Sequence, residues 1–132
     1  MKNIIWKYVK PLVDVASIEE YETRTSTSLP DDIKETVRFH NGGRPSLKYY
    51  DLPTETDKEF KSLLSFNRSD VENVFAFFPL DSSDKDLVPF AIDPAGNLFV
   101  IKGGSIYLWL HETDKTVFLA NSFSAFLETL HD

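Results

Sequence analysis

The chain predicts an α+β domain: a helical start, an antiparallel, β-rich last third and a closing helix. Three observations carry that reading. Leu29 to Pro45 reads as one helix with both ends written into it, and Leu87 to Leu119 falls into short β-rich runs divided by turn residues. Phe123, Phe126, Leu127 and Leu130 then recur at helical spacing near the end. A length of 132 residues suits one domain spanning the whole chain, and 42% hydrophobic residues, with eleven phenylalanines, supply a globular core.

Taken in order, Ser17-Ile18-Glu19-Glu20 has the Ser-to-Glu spacing of a capping box, and Ile18 and Tyr21 start an apolar stripe. A first helix is expected over residues 18–24, with the polar run Thr23 to Ser28 as its exit. In the second helix Pro30 suits the first position, where its missing N–H would be unpaired anyway, and Asp31 and Asp32 oppose the positive end of the dipole. Ile33, Val37 and His40 share a face, leaving Asp32, Lys34, Glu35 and Arg38 for water. Asn41-Gly42-Gly43 offers positive φ for a left-handed cap, and Pro45 bars a restart. Two helices thus precede the sheet.

Residues 47–52 read as a strand closed by Pro53, residues 54–58 as a loop and residues 60–66 as a further strand. Ser69-Asp70-Val71-Glu72 repeats the capping-box spacing and places Val71, Val74, Phe75 and Phe78 on one side of a mid-chain helix that Pro79 stops. Residues 81–86 are a loop by composition. Residues 87–92, 98–102 and 105–111 are then strands of a central antiparallel meander, with 116–119 following a turn at Thr113-Asp114-Lys115. Pro94 presets a type I turn with Gly96 in the left-handed position after it, and Gly103-Gly104 suits a primed two-residue hairpin. Ser122 caps the closing helix, which packs on the sheet.

The chemistry-bearing residues point away from catalysis. With no cysteine there is no disulfide, thiolate nucleophile or cysteine-based metal site. The chain lacks G-x-S-x-G, G-x-x-x-x-G-K and H-E-x-x-H, the skeletons of common nucleophile, nucleotide and zinc sites. His131 lies where termini fray. His40 sits in the last turn of a helix, where an imidazole meets exposed carbonyls. His111, Glu112 and Asp114 are the one local cluster of metal-capable groups, but neighbours on a strand face opposite ways. Asp93, before Pro94 and Gly96-Asn97, is expected to serve its own turn. Trp109 reads as core or sheet-face packing, and Trp6 as packing back onto the domain from a lysine-bearing lead-in. No catalytic, cofactor-binding or metal-ligating residue is therefore assigned, and no cofactor is expected.

Charge narrows the partner class. A formal net charge of −7 argues against nucleic acid, which needs clustered Lys and Arg. No apolar run is long enough for a signal-peptide core or a membrane span, so a cytoplasmic location and no membrane partner are expected. Between Asp51 and Asp86 nine acids face four bases, giving −5, whereas residues 1–50 come to +1. The negative field sits mid-chain, where it steers a cationic protein toward the domain. Tyr49-Tyr50 adds an aromatic pair of which one ring should face solvent.

Four blocks also resemble a known family. Ile18 to Glu22, then Leu29-Pro30 with Asn41-Gly42-Gly43-Arg44-Pro45, then Pro89-Phe90-Ala91 with Asp93, Gly96 and Asn97, and finally Ser122-Phe123 with Phe126-Leu127, are similar to the SUKH superfamily of Smi/Knr-type domains. The order of the blocks is that of the family. Ile33 stands where the family often has an aromatic residue, Ala125 where it often has an acidic one, and residues 1–15 match no family pattern.

This resemblance implies structural roles for Leu29, Pro30, Asn41, Gly42, Gly43, Pro45, Pro89, Phe90, Asp93, Gly96, Asn97, Phe123 and Phe126. It also implies a non-catalytic bacterial immunity protein that neutralises a cognate toxin, in many members a basic nuclease, by direct binding. The alternative is a regulatory or scaffold domain for an endogenous cellular protein. The residues expected to meet the partner are Tyr49, Asp51, Glu55, Asp57, Glu59, Asp81, Asp84 and Asp86.

Overall fold

In a computed structural model describing residues 2–132, the chain forms an α+β arrangement around one five-stranded antiparallel sheet. A short strand β1 (Trp6–Lys7) leads into helices α1 (Ala16–Thr25) and α2 (Asp31–His40), and β2 (Arg44–Pro45) returns to pair with β1. Strands β3 (Tyr49–Tyr50) and β4 (Lys58–Glu59) make a second small ribbon. The main sheet follows the order β5 (Ser62–Leu63), β6 (Val88–Ile92), β7 (Leu98–Lys102), β8 (Ser105–Leu110) and β9 (Lys115–Ala120). Helix α3 (Val74–Phe77) lies between β5 and β6, and α4 (Phe123–Thr129) closes the chain.

Every residue of β6 is buried, and so is β7 up to Lys102, as expected of central strands covered on both faces. One centre of the core is aromatic. Phe60, Phe99 and Phe126 stand 4.7–5.8 Å apart by ring centroid, with Tyr50 against both Phe99 and Phe126. Phe90 meets Phe123 edge-on at 5.6 Å, which seats the first turn of α4 on the sheet. Tyr21 packs α1 against Phe66, Phe75 and Phe78 and donates its hydroxyl to the Pro89 carbonyl at 2.7 Å. Burying one such ring stabilises the fold by roughly 1.5–3 kcal/mol.

The turns of the meander follow the sequence reading. Gly103 and Gly104 take φ of +57° and +80°, the primed hairpin turn between β7 and β8. Asp93 is buried and turns the chain for β7: its carboxylate accepts the N–H groups of Ala95 and Asn97 and the Asn97 side-chain amide. At α4, Ser122 accepts the Ala125 N–H through its side chain, as a cap should.

Elsewhere local signals were overridden. Neither Ser17 nor Ser69 caps a helix: α1 begins after Val15 with no side-chain cap, and α3 spans four residues capped by Asn73, whose side chain accepts the Ala76 N–H. Ser69 to Glu72 is an irregular approach in which Asp70 binds Ser65 and Asn67, so Val71 stands 92% exposed rather than on an apolar helix face. The anticipated strands 47–52 and 60–66 shrink to the pairs in β3 and β5.

Helix α2 does not end in a left-handed asparagine. Asn41 is extended and only Gly42 takes positive φ, so His40 to Gly43 form a type II turn closed by Gly43 N–H to His40 carbonyl at 2.9 Å. The backbone of Asn41 is held extended by its buried side chain, which ties three segments together. Asp32, expected in water, is half-buried and accepts both the N–H and the hydroxyl of Ser124 in the first turn of α4. The carboxylate completes the start of that helix, where backbone N–H groups lack partners.

Candidate functional site

The acidic residues expected at an interface fall in two loops, each held by hydrogen bonds to a residue from elsewhere in the chain. In the first, between β3 and β4, Asp57 has φ of +55° and its N–H donates to the Asp51 carboxylate at 2.9 Å. The chain end comes alongside: Tyr49 and His131 exchange both backbone hydrogen bonds, at 2.8 and 3.0 Å, which brings the His131 imidazole 3.1 Å from Asp51 and 3.8 Å from Asp57. His131 is therefore tied to β3 by its backbone, where a frayed end was expected. The hydrogen bond to Asp132, then that to Asp51, raise its pKa above the ordinary value, while the Asp57 N–H and then His131 lower that of Asp51.

Sequence spacing gave no hint of this trio. Its three potential ligand atoms lie within 4.8 Å of one another, and no bound ion is needed to account for them because the imidazole and the Asp57 amide already serve Asp51. The neighbouring acids have partners too: Glu55 pairs with Lys58 at 3.4 Å and Glu59 with Lys48 at 4.0 Å. Tyr49 is half-buried with the Lys48 ammonium 5.3 Å above its ring, and Tyr50 is buried.

In the second loop, residues 81–86, Ser82 is buried and Asp114 acts as the anchor. Asp114 sits in the β8–β9 turn at φ of +57°. Hydrogen bonds from the Ser82 side chain, the Ser83 backbone, the Trp109 indole and the Ser83 hydroxyl hold its carboxyl well below the usual carboxylate range. Asp84 meets Lys102 at 2.6 Å, an ion pair that lowers the carboxyl and raises the ammonium pKa. Asp81 and Asp86 are exposed, and neither joins an ion pair among the described residues.

Strand β9 runs from one loop to the other. It starts beside Asp114, and at Phe118 and Leu119 it borders a groove of about 240 Å³ shared with Tyr50, Asp51, Leu52 and Pro53 and with Phe126 and Thr129. Phe118 is 53% exposed, its ring edge-on to Tyr107 at 5.7 Å. Aromatic, half-open and flanked by carboxylates, this face has the make-up of a protein contact surface.

The other candidates are placed apart. His111 holds the Ala95 carbonyl at 3.1 Å across the 93–97 turn, and Glu112 points to solvent while Asp114 is committed to Ser82, Ser83 and Trp109, so these three do not converge. His40 stacks on Trp6 at 6.1 Å, and Arg44 lies over Tyr8, giving the N-terminal strand a small basic and aromatic edge that sequence reading missed. Gly43 is the reason Trp6 fits: a Cβ there would meet the His40 carbonyl at 2.8 Å and Trp6 at 3.3 Å. Among the described residues no helix is long and apolar enough to cross a membrane.

The profile of the SMI1 / KNR4 family (SUKH-1) matches residues 12–129. The chain belongs to the SMI1 / KNR4 family. Comparison with the curated proteins finds no match. Of the residues in the SMI1 / KNR4 blocks, Leu29, Phe90, Phe123 and Phe126 are buried, Pro45 pairs with Trp6, and the Pro89 carbonyl receives the Tyr21 hydroxyl. Pro30 precedes the first residue of α2 instead of occupying it, and its carbonyl accepts the Lys34 N–H.

Proposed function

We propose that this SMI1 / KNR4 domain is a non-catalytic protein-binding module, an immunity protein of the cytoplasm that neutralises a cognate toxin by covering it. The observation that carries the reading is the pair of acidic loops, 51–59 and 81–86, at the two ends of an exposed aromatic strand. The loops hold four acids against one base and three against one, so a basic surface, such as that of a nuclease, meets a complementary field. Tyr49, Asp51, Glu55, Asp57, Glu59, Asp81, Asp84 and Asp86 are the proposed contacts, with Asp81 and Asp86 the most available because, among the described residues, no ion pair occupies them. Loops fixed by internal hydrogen bonds lose little entropy on binding.

The test is co-expression with the toxin domain encoded by a neighbouring gene. A complex that survives purification at low salt and weakens as salt rises is expected. Reversing Asp81, Asp84 and Asp86 to lysine should weaken it by about two orders of magnitude, since close interfacial charge pairs couple by up to several kcal/mol. Binding that ignores both salt and charge reversal would refute the acidic interface.

A further inference from the structure

The two edges of the main sheet are treated differently. At the β5 edge the Leu63 N–H is already taken by the Gly43 carbonyl, and the strand is only two residues long. At the other edge stands β9, six residues or roughly 20 Å of strand, whose backbone hydrogen bonds among the described residues run only to β8. A row of N–H and C=O groups therefore faces outward. Proteins normally protect such edges with charge, proline, a bulge or a covering segment. Here one charge, Lys115, stands at the start, Thr116 to Ala120 carry neither charge nor proline, and the one bulge, at Leu119 between Phe118 and Ala120, leaves Lys115 to Phe118 in unbroken register with β8.

Beside this edge lie an apolar anchor and a groove. Phe118 is 53% exposed, and the groove next to Phe118 and Leu119 is bounded by Asp51 to Pro53 on one side and by Phe126 and Thr129 of α4 on the other. Acids flank the strand at both ends. A second copy of this chain is a poor occupant, since pairing β9 with β9 would press together the acidic loops of two molecules each carrying −7. A cationic strand meets no such repulsion.

We infer that β9 is a strand-addition edge that accepts one extended, Lys- or Arg-bearing segment of a basic partner protein. Main-chain hydrogen bonds to the regular stretch Lys115 through Phe118 supply the affinity, an apolar side chain sits against Phe118, and cationic side chains reach Asp51 at one end and the 81–86 loop at the other. The inference rests on the toxin-binding reading for its biological partner, but the edge itself is tested without any toxin.

The probe is an acetylated, amidated octapeptide of alternating Lys and Val. Saturable binding at low salt is expected, with slowed hydrogen exchange confined to the β9 amides. The same peptide N-methylated at alternate residues keeps its side chains yet cannot pair; losing hydrogen bonds of about 1 kcal/mol each should weaken it at least about tenfold. Phe118→Lys should abolish binding while leaving the thermal midpoint nearly unchanged, because the ring is half exposed. Equal binding of the methylated peptide, protection away from β9, no binding of the unmodified peptide, or β9 protection that grows with protein concentration alone would each overturn the proposal. A toxin complex that forms normally with Phe118→Lys would overturn strand addition and leave the toxin-binding reading standing; peptide capture on β9 without any toxin complex would do the reverse.

Discussion

The side-chain oxygen of Asn41 accepts the backbone N–H of Phe66 at 2.8 Å, joining the end of α2 to the segment after β5. Its amide nitrogen donates to the Lys10 carbonyl at 2.8 Å and to the Ser65 hydroxyl at 3.0 Å. Asn41 is fully buried, so Asn41→Ala strands the buried Phe66 N–H and releases the part-buried Lys10 carbonyl. A loss of about 1–3 kcal/mol is expected per orphaned group, read as a lower urea midpoint with unchanged slope. Asn41→Asp should be no better, since its carboxylate cannot donate to Lys10.

Tyr50 makes the opposite case. Its hydroxyl is the one buried side-chain polar atom with no partner among the described residues, and burial pushes its pKa far up. Tyr50→Phe removes a desolvated group and keeps the ring against Phe99 and Phe126. Stability should hold or rise by up to about 1 kcal/mol, whereas Phe126→Ala in the same cluster should cost about 3–5 kcal/mol. Chemical denaturation of both variants checks the pair.

His131 should report pH. Its imidazolium is favoured in the folded chain by the Asp132 carbonyl, by Asp51 and by Asp57. A raised pKa means that the stabilisation is fully present below the ordinary value of 6.5 and is lost as pH rises through the folded value. Proton NMR titration of the ring should give a midpoint above 6.5, and Asp51→Asn should move it back down. A wild-type midpoint at or below 6.5 would contradict the geometry.

Asp114 is expected to control the 81–86 loop. Replacement by Asn preserves a turn residue that tolerates positive φ but removes the charge that three neighbours solvate. Faster exchange of the Ser83 amide and a changed Trp109 emission should follow. Because the carboxyl pKa is depressed, the wild-type loop should keep its protection above the ordinary pKa of 3.8 and loosen only as pH falls through the depressed value.

Much of the meander and its turns could be read directly, because Gly103-Gly104, Asp93-Pro94 and Ser122 act through local backbone chemistry. Ser69 has the capping spacing, yet Asp70 turns to Ser65 and Asn73 takes the cap, so competing side-chain hydrogen bonds decide where the helix near residue 74 begins. Asp32 looked solvated because its partner, Ser124, lies 92 residues away. The charge asymmetry pointed to the two acidic loops, but their rigid fixing by His131 and Asp114 depends on pairings over long sequence distance that no local pattern encodes.

The lead-in that carries no family pattern is tied in by two buried asparagines. Asn41 holds Lys10 through both its amide nitrogen and its carbonyl, Asn67 binds the Pro11 carbonyl and the Val13 N–H, and Trp6 adds a strand partner to Pro45. The family profile, however, starts at residue 12. A fragment trimmed to that boundary would leave the Asn41 amide facing a missing carbonyl and bare the strip under Trp6. The contacts that hold this domain together thus reach past the residues its family profile matches.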